Sequence, residues 1–161
     1  MKSINCATLI VAAVVLSVGC SKSNSTKPGP AVGGSVTPAT PPEHAHGTGP
    51  NGGVVFDFGS HHGEFTVDHG KKECTVIVLG DDEKTPTPVA ATELILNIKE
   101  TKTADGTAVA PMTITMKPVD TADGKASKFV GSDPGIGNVA DFEGTVSGEI
   151  ESKPAMGEFA E

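Results

Sequence analysis

The sequence contains no tryptophan, no tyrosine and no arginine. Without arginine there is no guanidinium fork to grip phosphate or guanine. Aromatic platforms for stacked bases are reduced to six phenylalanines, and flat indole or phenol surfaces for sugar rings are missing altogether. The composition therefore argues against nucleic acid as a partner. Enzyme signatures are also lacking: there is no Gly-x-Ser-x-Gly elbow, phosphate loop, His-Glu-x-x-His helix or helix-loop-helix calcium loop, and the chain reads as a non-enzyme. Asp81-Asp82-Glu83 is an acidic stretch able to hold calcium, but solvation alone accounts for it. Cysteine is scarce, with Cys6, Cys20 and Cys74. Cys6 is lost with an export signal and Cys20 is capped if lipidated, so no intramolecular disulfide is expected. Cys74 lies among alternating apolar residues and reads as a small buried hydrophobe.

What is present begins with an export signal. Met1-Lys2 and the apolar run Ala7 to Leu16 lead into Ser17-Val18-Gly19-Cys20. The run is too short to span a bilayer, which takes about 20 apolar residues, so residues 1–19 read as a signal peptide. Ser17 and Gly19 are the small residues a signal peptidase requires, and Cys20 offers a thiol for diacylglycerol. The junction resembles the lipobox of bacterial lipoproteins, with Leu16 one step earlier than is usual. The resemblance implies lipidation at Cys20 and a membrane partner through that lipid. The implied location is the cell envelope, facing the periplasm or exterior. The same small-x-small pattern also fits ordinary secretion of a soluble protein. The formal charge is −8, and loss of Lys2 with the signal makes the mature chain more acidic by one unit. That charge favours solubility and local enrichment of cations.

Residues 20–46 form a Ser-, Thr-, Pro- and Gly-rich tether with almost no large apolar side chains, unable to offset its ordering entropy by burial. From 47 to 161 the apolar residues recur with period two. Val54, Phe56 and Phe58 alternate, as do Leu94, Leu96 and Ile98, and Phe142, Gly144, Val146, Gly148 and Ile150. Turn signals fall at Gly59–Gly63, His69–Lys72, Gly80–Pro88, Lys153–Ala155 and two Thr-Ala-Asp-Gly copies, at 103–106 and 121–124. This pattern predicts an all-β domain, an antiparallel immunoglobulin-like β-sandwich of about seven or eight short strands, with a small β-barrel as the alternative closure. Ser132–Asn138 reads as a loop, and Val139–Asp141 as a short turn of helix.

All five histidines fall between residues 44 and 69. A hairpin of Val54–Phe58 with Glu64–His69 across Gly59–Gly63 leaves His61 and His62 at the turn and His69 at the far end. The segment entering the first strand then brings His44 and His46 toward His69. The candidate metal ligands are therefore His44, His46 and His69, with His61, His62, Glu43 and Glu73 as weaker candidates. Imidazoles with a nearby carboxylate suit copper(II) or zinc.

The stretch Gly47 to Leu79 contains Gly49-Pro50-Asn51-Gly52-Gly53, Phe58-Gly59 and His62-Gly63-Glu64 before an apolar strand. It resembles small exported bacterial domains, including those fused to periplasmic adaptor subunits of heavy-metal efflux pumps. Ser127–Asp133 is similar to a segment of the free-standing members. The resemblance implies a β-sandwich with a metal-handling role, although Asn51 stands where members often carry histidine. Two functions follow as expectations. One is a non-catalytic envelope module that binds a transition metal, copper or zinc, and passes it to an envelope protein partner. The other is a structural or protein-interaction module with no metal.

Overall fold

The computed structural model describes residues 46–161. Signal residues 1–19, Cys20, most of the tether, Glu43 and His44 lie outside the described residues. Ten strands follow in chain order: β1 (Val54–Phe58), β2 (His61–Asp68), β3 (Glu73–Leu79), β4 (Leu94–Ile98), β5 (Thr101–Lys102), β6 (Ala108–Val109), β7 (Met112–Val119), β8 (Lys128–Ser132), β9 (Glu143–Ile150) and β10 (Lys153–Ala160). Eight of them form one antiparallel sheet in the order β1-β2-β3-β8-β7-β4-β9-β10, while β5 and β6 make a separate two-stranded ribbon. Among the described residues no helix is long and apolar enough to cross a membrane.

The expected all-β antiparallel fold is what the chain forms. The sheet curls until its end strands approach each other, nearly closing into a barrel. Along β7 the pairing changes partner: its Met112–Met116 half pairs with β4 and its Lys117–Val119 half pairs with β8. A strand that changes partner midway joins two halves whose inner faces pack together, so the molecule combines features of a sandwich and a barrel.

Alternation supplies the core. One face of each long strand turns inward, and all six phenylalanines, Phe56, Phe58, Phe65, Phe129, Phe142 and Phe159, are buried there with Val76, Leu94, Leu96, Met116 and Val146. At about 2 kcal/mol for each large apolar side chain removed from water, these rings are a leading stabilising contribution. Phe159 of β10 stacks on Phe65 of β2 at 4.1 Å and meets Phe56 of β1 at 5.9 Å, which draws the two ends of the sheet together. At this seam stands Gly157, where an added Cβ would overlap the Asp57 carbonyl and the Phe56 ring.

Several local expectations are corrected. The β1–β2 turn is the two-residue loop Gly59-Ser60, with Phe58 opposite His61, and Gly59 takes the positive φ (64°) favoured at the first central position of a tight hairpin. Gly63 is not a turn residue: it pairs with Phe56, whose ring occupies the space a Cβ would need. The last hairpin turns at Glu151-Ser152, both at positive φ, and Lys153–Ala155 already belong to β10. A 3-10 turn occupies Pro134–Gly137, capped by the Asp133 carboxylate accepting from the Gly135 N–H, instead of a helical turn at Val139–Asp141. The Asp123-Gly124 turn has both residues at positive φ, as its composition leads one to expect, whereas in the other copy only Gly106 does.

Closure through Gly157 predicts that Gly157→Ala lowers stability by about 1–3 kcal/mol through overpacking at the β1–β10 seam. Urea denaturation measures it; an unchanged midpoint would contradict the seam.

Candidate metal centre

The centre is assembled by a turn ahead of β1. Gly49 N–H donates to the Gly53 carbonyl and Gly52 N–H to the Gly49 carbonyl, and Thr48 bridges antiparallel to Val54. Glu64 holds this turn in place. Glu64 neighbours the core residue Phe65 and so projects from the outer face of β2, yet it is fully buried because the turn covers it. Its Oε1 accepts from the backbone N–H groups of Asn51 (2.7 Å) and Gly53 (3.0 Å), and its Oε2 accepts from the Asn51 side-chain amide (2.7 Å). A buried carboxylate is costly unless its lone pairs are met, and three donors on an ionisable acceptor meet that cost. Gly49 leaves room for the Glu64 side chain, which an added Cβ would strike.

Because the turn reverses the chain, the residues before it run back beside β1 toward the Gly59-Ser60 end. His46 is thereby delivered to Asp57 and His62, which face each other across the β1–β2 ladder. The His46 and His62 rings meet edge to face, with centroids 5.4 Å apart. His46 Nδ1 lies 3.3 Å from Glu83 Oε1, while its Nε2 lies 3.5 Å from Asp57 Oδ1. His62 Nε2 is 3.5 Å from Asp57 Oδ1 and 3.7 Å from Glu83 Oε1. His62 Nδ1–H donates to the Gly80 carbonyl at 3.1 Å. A carbonyl can only accept, so this bond fixes the proton on Nδ1 and, in the neutral ring, leaves the Nε2 lone pair facing two carboxylates. The His46 side chain is nine-tenths buried, and its Nε2 has no hydrogen-bond partner despite the nearby Asp57 oxygen.

Glu83 comes from the loop after β3. Gly80 N–H donates to the Thr85 carbonyl, Glu83 N–H to the Gly80 carbonyl, and Thr87 N–H to the Val78 carbonyl. The Asp82 carboxylate accepts from the Thr85 hydroxyl and from the backbone N–H groups of Thr85 and Lys84, which hold its pKa down at about 2. Asp82 is thus occupied within the loop, whereas Glu83, in a left-handed conformation (φ 57°), turns its carboxylate to the histidines. One ligand atom from each of His46, His62 and Glu83 lies within 4.8 Å of the others, a grouping that can hold a metal ion.

This set differs from the one expected. His46 and His62 come together, but His69 does not join them. It follows β2 about 23 Å of strand beyond His62, with its Nδ1–H donating to the Ile136 carbonyl at 2.8 Å and its ring tilted against Phe142. The reversal at Gly49–Gly53 is the cause, since it sends His46 away from the His69 end. His61 and His62 are strand residues, and alternation puts His61 on the face of its partner Phe58, with His62 on the face of Asp57. Glu73 begins β3 opposite Ser132. Cys74 is fully buried, and burial pushes its thiol up to about 12, so it supplies no thiolate. Asp57 and Glu83 were not among the expected ligands. Asp57 becomes readable once the turn is reduced to Gly59-Ser60, because Phe58 opposite His61 puts Asp57 opposite His62. Nothing local distinguishes Glu83 from its acidic neighbours.

Glu64→Ala leaves the turn donors without their carboxylate and should cost about 2–3 kcal/mol. It should also separate the His46 ring from His62, seen as loss of contacts between their ring protons by NMR. Retained stability and contacts would exclude this role for Glu64. The Asp82 cap has its own pH signature. Its folded pKa lies below the ordinary 3.8, so its contribution is complete above about pH 4 and is lost as pH falls through about 2. Protection of the Thr85 amide should follow that course, and a midpoint near pH 4 would contradict the cap. No protein-family model, curated protein or solved structure matches this chain.

Proposed function

We propose that this protein is a non-catalytic, exported binding module that holds a transition metal, zinc or copper(II), at the rim of its β-domain. The observation carrying the reading is the convergence of His46, His62 and Glu83, with ligand atoms within 4.8 Å and the His46 Nε2 buried without a hydrogen bond. Two imidazole nitrogens and a carboxylate oxygen are borderline-to-hard donors of the kind zinc and copper(II) accept. The Gly80 carbonyl behind His62 is the type of outer partner that orients a ligating imidazole.

Three protein ligands leave a coordination position for water or for a donor from another protein, so an ion held here can leave by ligand exchange. This supports a metal-handling role with an envelope partner. Placement in the envelope rests on residues 1–20, with Cys20 as the acyl acceptor and the following tether as a spacer. Two acyl chains would give lasting attachment where a single chain gives only marginal residence.

Calorimetric titration of the chelator-treated protein with zinc and copper(II) tests the binding. One ion per chain is expected, with loss of at least tenfold in affinity in His46→Ala and His62→Ala and little change in His69→Ala. Absence of heat with both ions, or equal binding by the His46 and His62 variants, would reject the reading.

A further inference from the structure

The two nitrogens of His46 face different carboxylates, and this asymmetry assigns the ligand atoms. Its Nδ1 makes a hydrogen bond with Glu83 Oε1 at 3.3 Å, and since a carboxylate accepts, the ring proton resides on Nδ1. In the neutral ring Nε2 then carries the lone pair. That atom is buried, has no hydrogen bond, and stands 3.5 Å from Asp57 Oδ1. His62 is arranged in the same way: Nδ1–H is given to the Gly80 carbonyl, and the free Nε2 stands 3.5 Å from the same Asp57 oxygen. The two ring nitrogens of an imidazole point away from each other, so a single ion cannot use both nitrogens of His46.

Resting on the metal-binding reading above, we propose that the ion lies among His46 Nε2, His62 Nε2 and Asp57 Oδ1. In this arrangement Asp57 is the carboxylate ligand and Glu83 is a positioning residue acting through His46. The two equal separations of 3.5 Å from Asp57 Oδ1 match a tetrahedral edge of about 3.3 Å after a small contraction on the ion. Asp57 is also suited by its place: it lies on an exposed strand position directly opposite His62, so it reaches an ion without being desolvated first. Glu83 then forms a carboxylate–histidine–metal relay, fixing the tautomer of His46 and raising its basicity. Two carboxylates beside two imidazoles favour a divalent ion over copper(I).

Two measurements on the purified protein test this assignment. Long-range proton–nitrogen NMR of histidine-labelled protein titrated with zinc should show metal on Nε2 and a proton on Nδ1 in both His46 and His62. Zinc on His46 Nδ1 would overturn the assignment. In competition titrations Asp57→Asn should lose at least tenfold in zinc affinity. Glu83→Ala should lose between about tenfold and a hundredfold, and Glu83→Gln, which keeps an acceptor for Nδ1–H, should recover most of that loss. Wild-type zinc binding by Asp57→Asn, or a Glu83→Gln as impaired as Glu83→Ala, would overturn the roles proposed here. If the His46 and His62 variants still lost zinc, the metal site itself would stand. Equal zinc binding by the histidine variants would instead remove both.

Discussion

The buried carboxylate of Glu64 is the constraint on which the candidate site depends. It sits on the outer face of β2 and is excluded from water by the Gly49–Gly53 turn, whose amides are its only hydrogen-bond donors among the described residues. Turn and carboxylate therefore stabilise each other. The turn buries no apolar side chain, its Pro50 being exposed, and the carboxylate would be too costly to bury without the turn's three donors. The consequence for function is directional. A chain entering β1 without this reversal would place its histidines beside the far end of β2, whereas the folded-back chain places His46 beside the tight hairpin.

The rest of the molecule supplies a platform for that contact. Phenylalanines on the inner face hold the curled sheet, and the pairing of Phe56, Phe65 and Phe159 joins its two ends. With the inner face committed to the core, polar chemistry is confined to outward positions and to loops at the rim. Asp57 and His62 are outward by alternation, His46 is brought there by the turn, and Glu83 by a loop whose Asp82 is fully engaged in its own backbone. Four segments separated in sequence thus converge without any one of them carrying a recognisable motif.

This explains how far the sequence could be read. Period-two alternation was enough for the fold class, for the core faces of β1, β4 and β9, and for the burial of Cys74, because those features depend on local spacing alone. The strand ends were less legible. Gly63 resembles a turn glycine until Phe56 is seen lying over it, and Lys153-Pro154 resembles a break although the chain turns one step earlier on two residues of unfavourable φ. For the site, histidine content pointed to residues 44–69, within which the structure brings His46 to His62 at the tight hairpin and leaves His69 at the other end of β2. The missing information was a long-range hydrogen-bonded contact, Glu64 with Asn51 and Gly53, and no periodicity reports such a contact.

The central claim is that His46 packs against His62 and not against His69. A proton–proton distance measurement on the metal-free protein tests it most directly, since it needs neither a ligand nor a variant. Cross-relaxation between the ring protons of His46 and His62 is predicted, with none between His46 and His69. The opposite pattern would contradict the account.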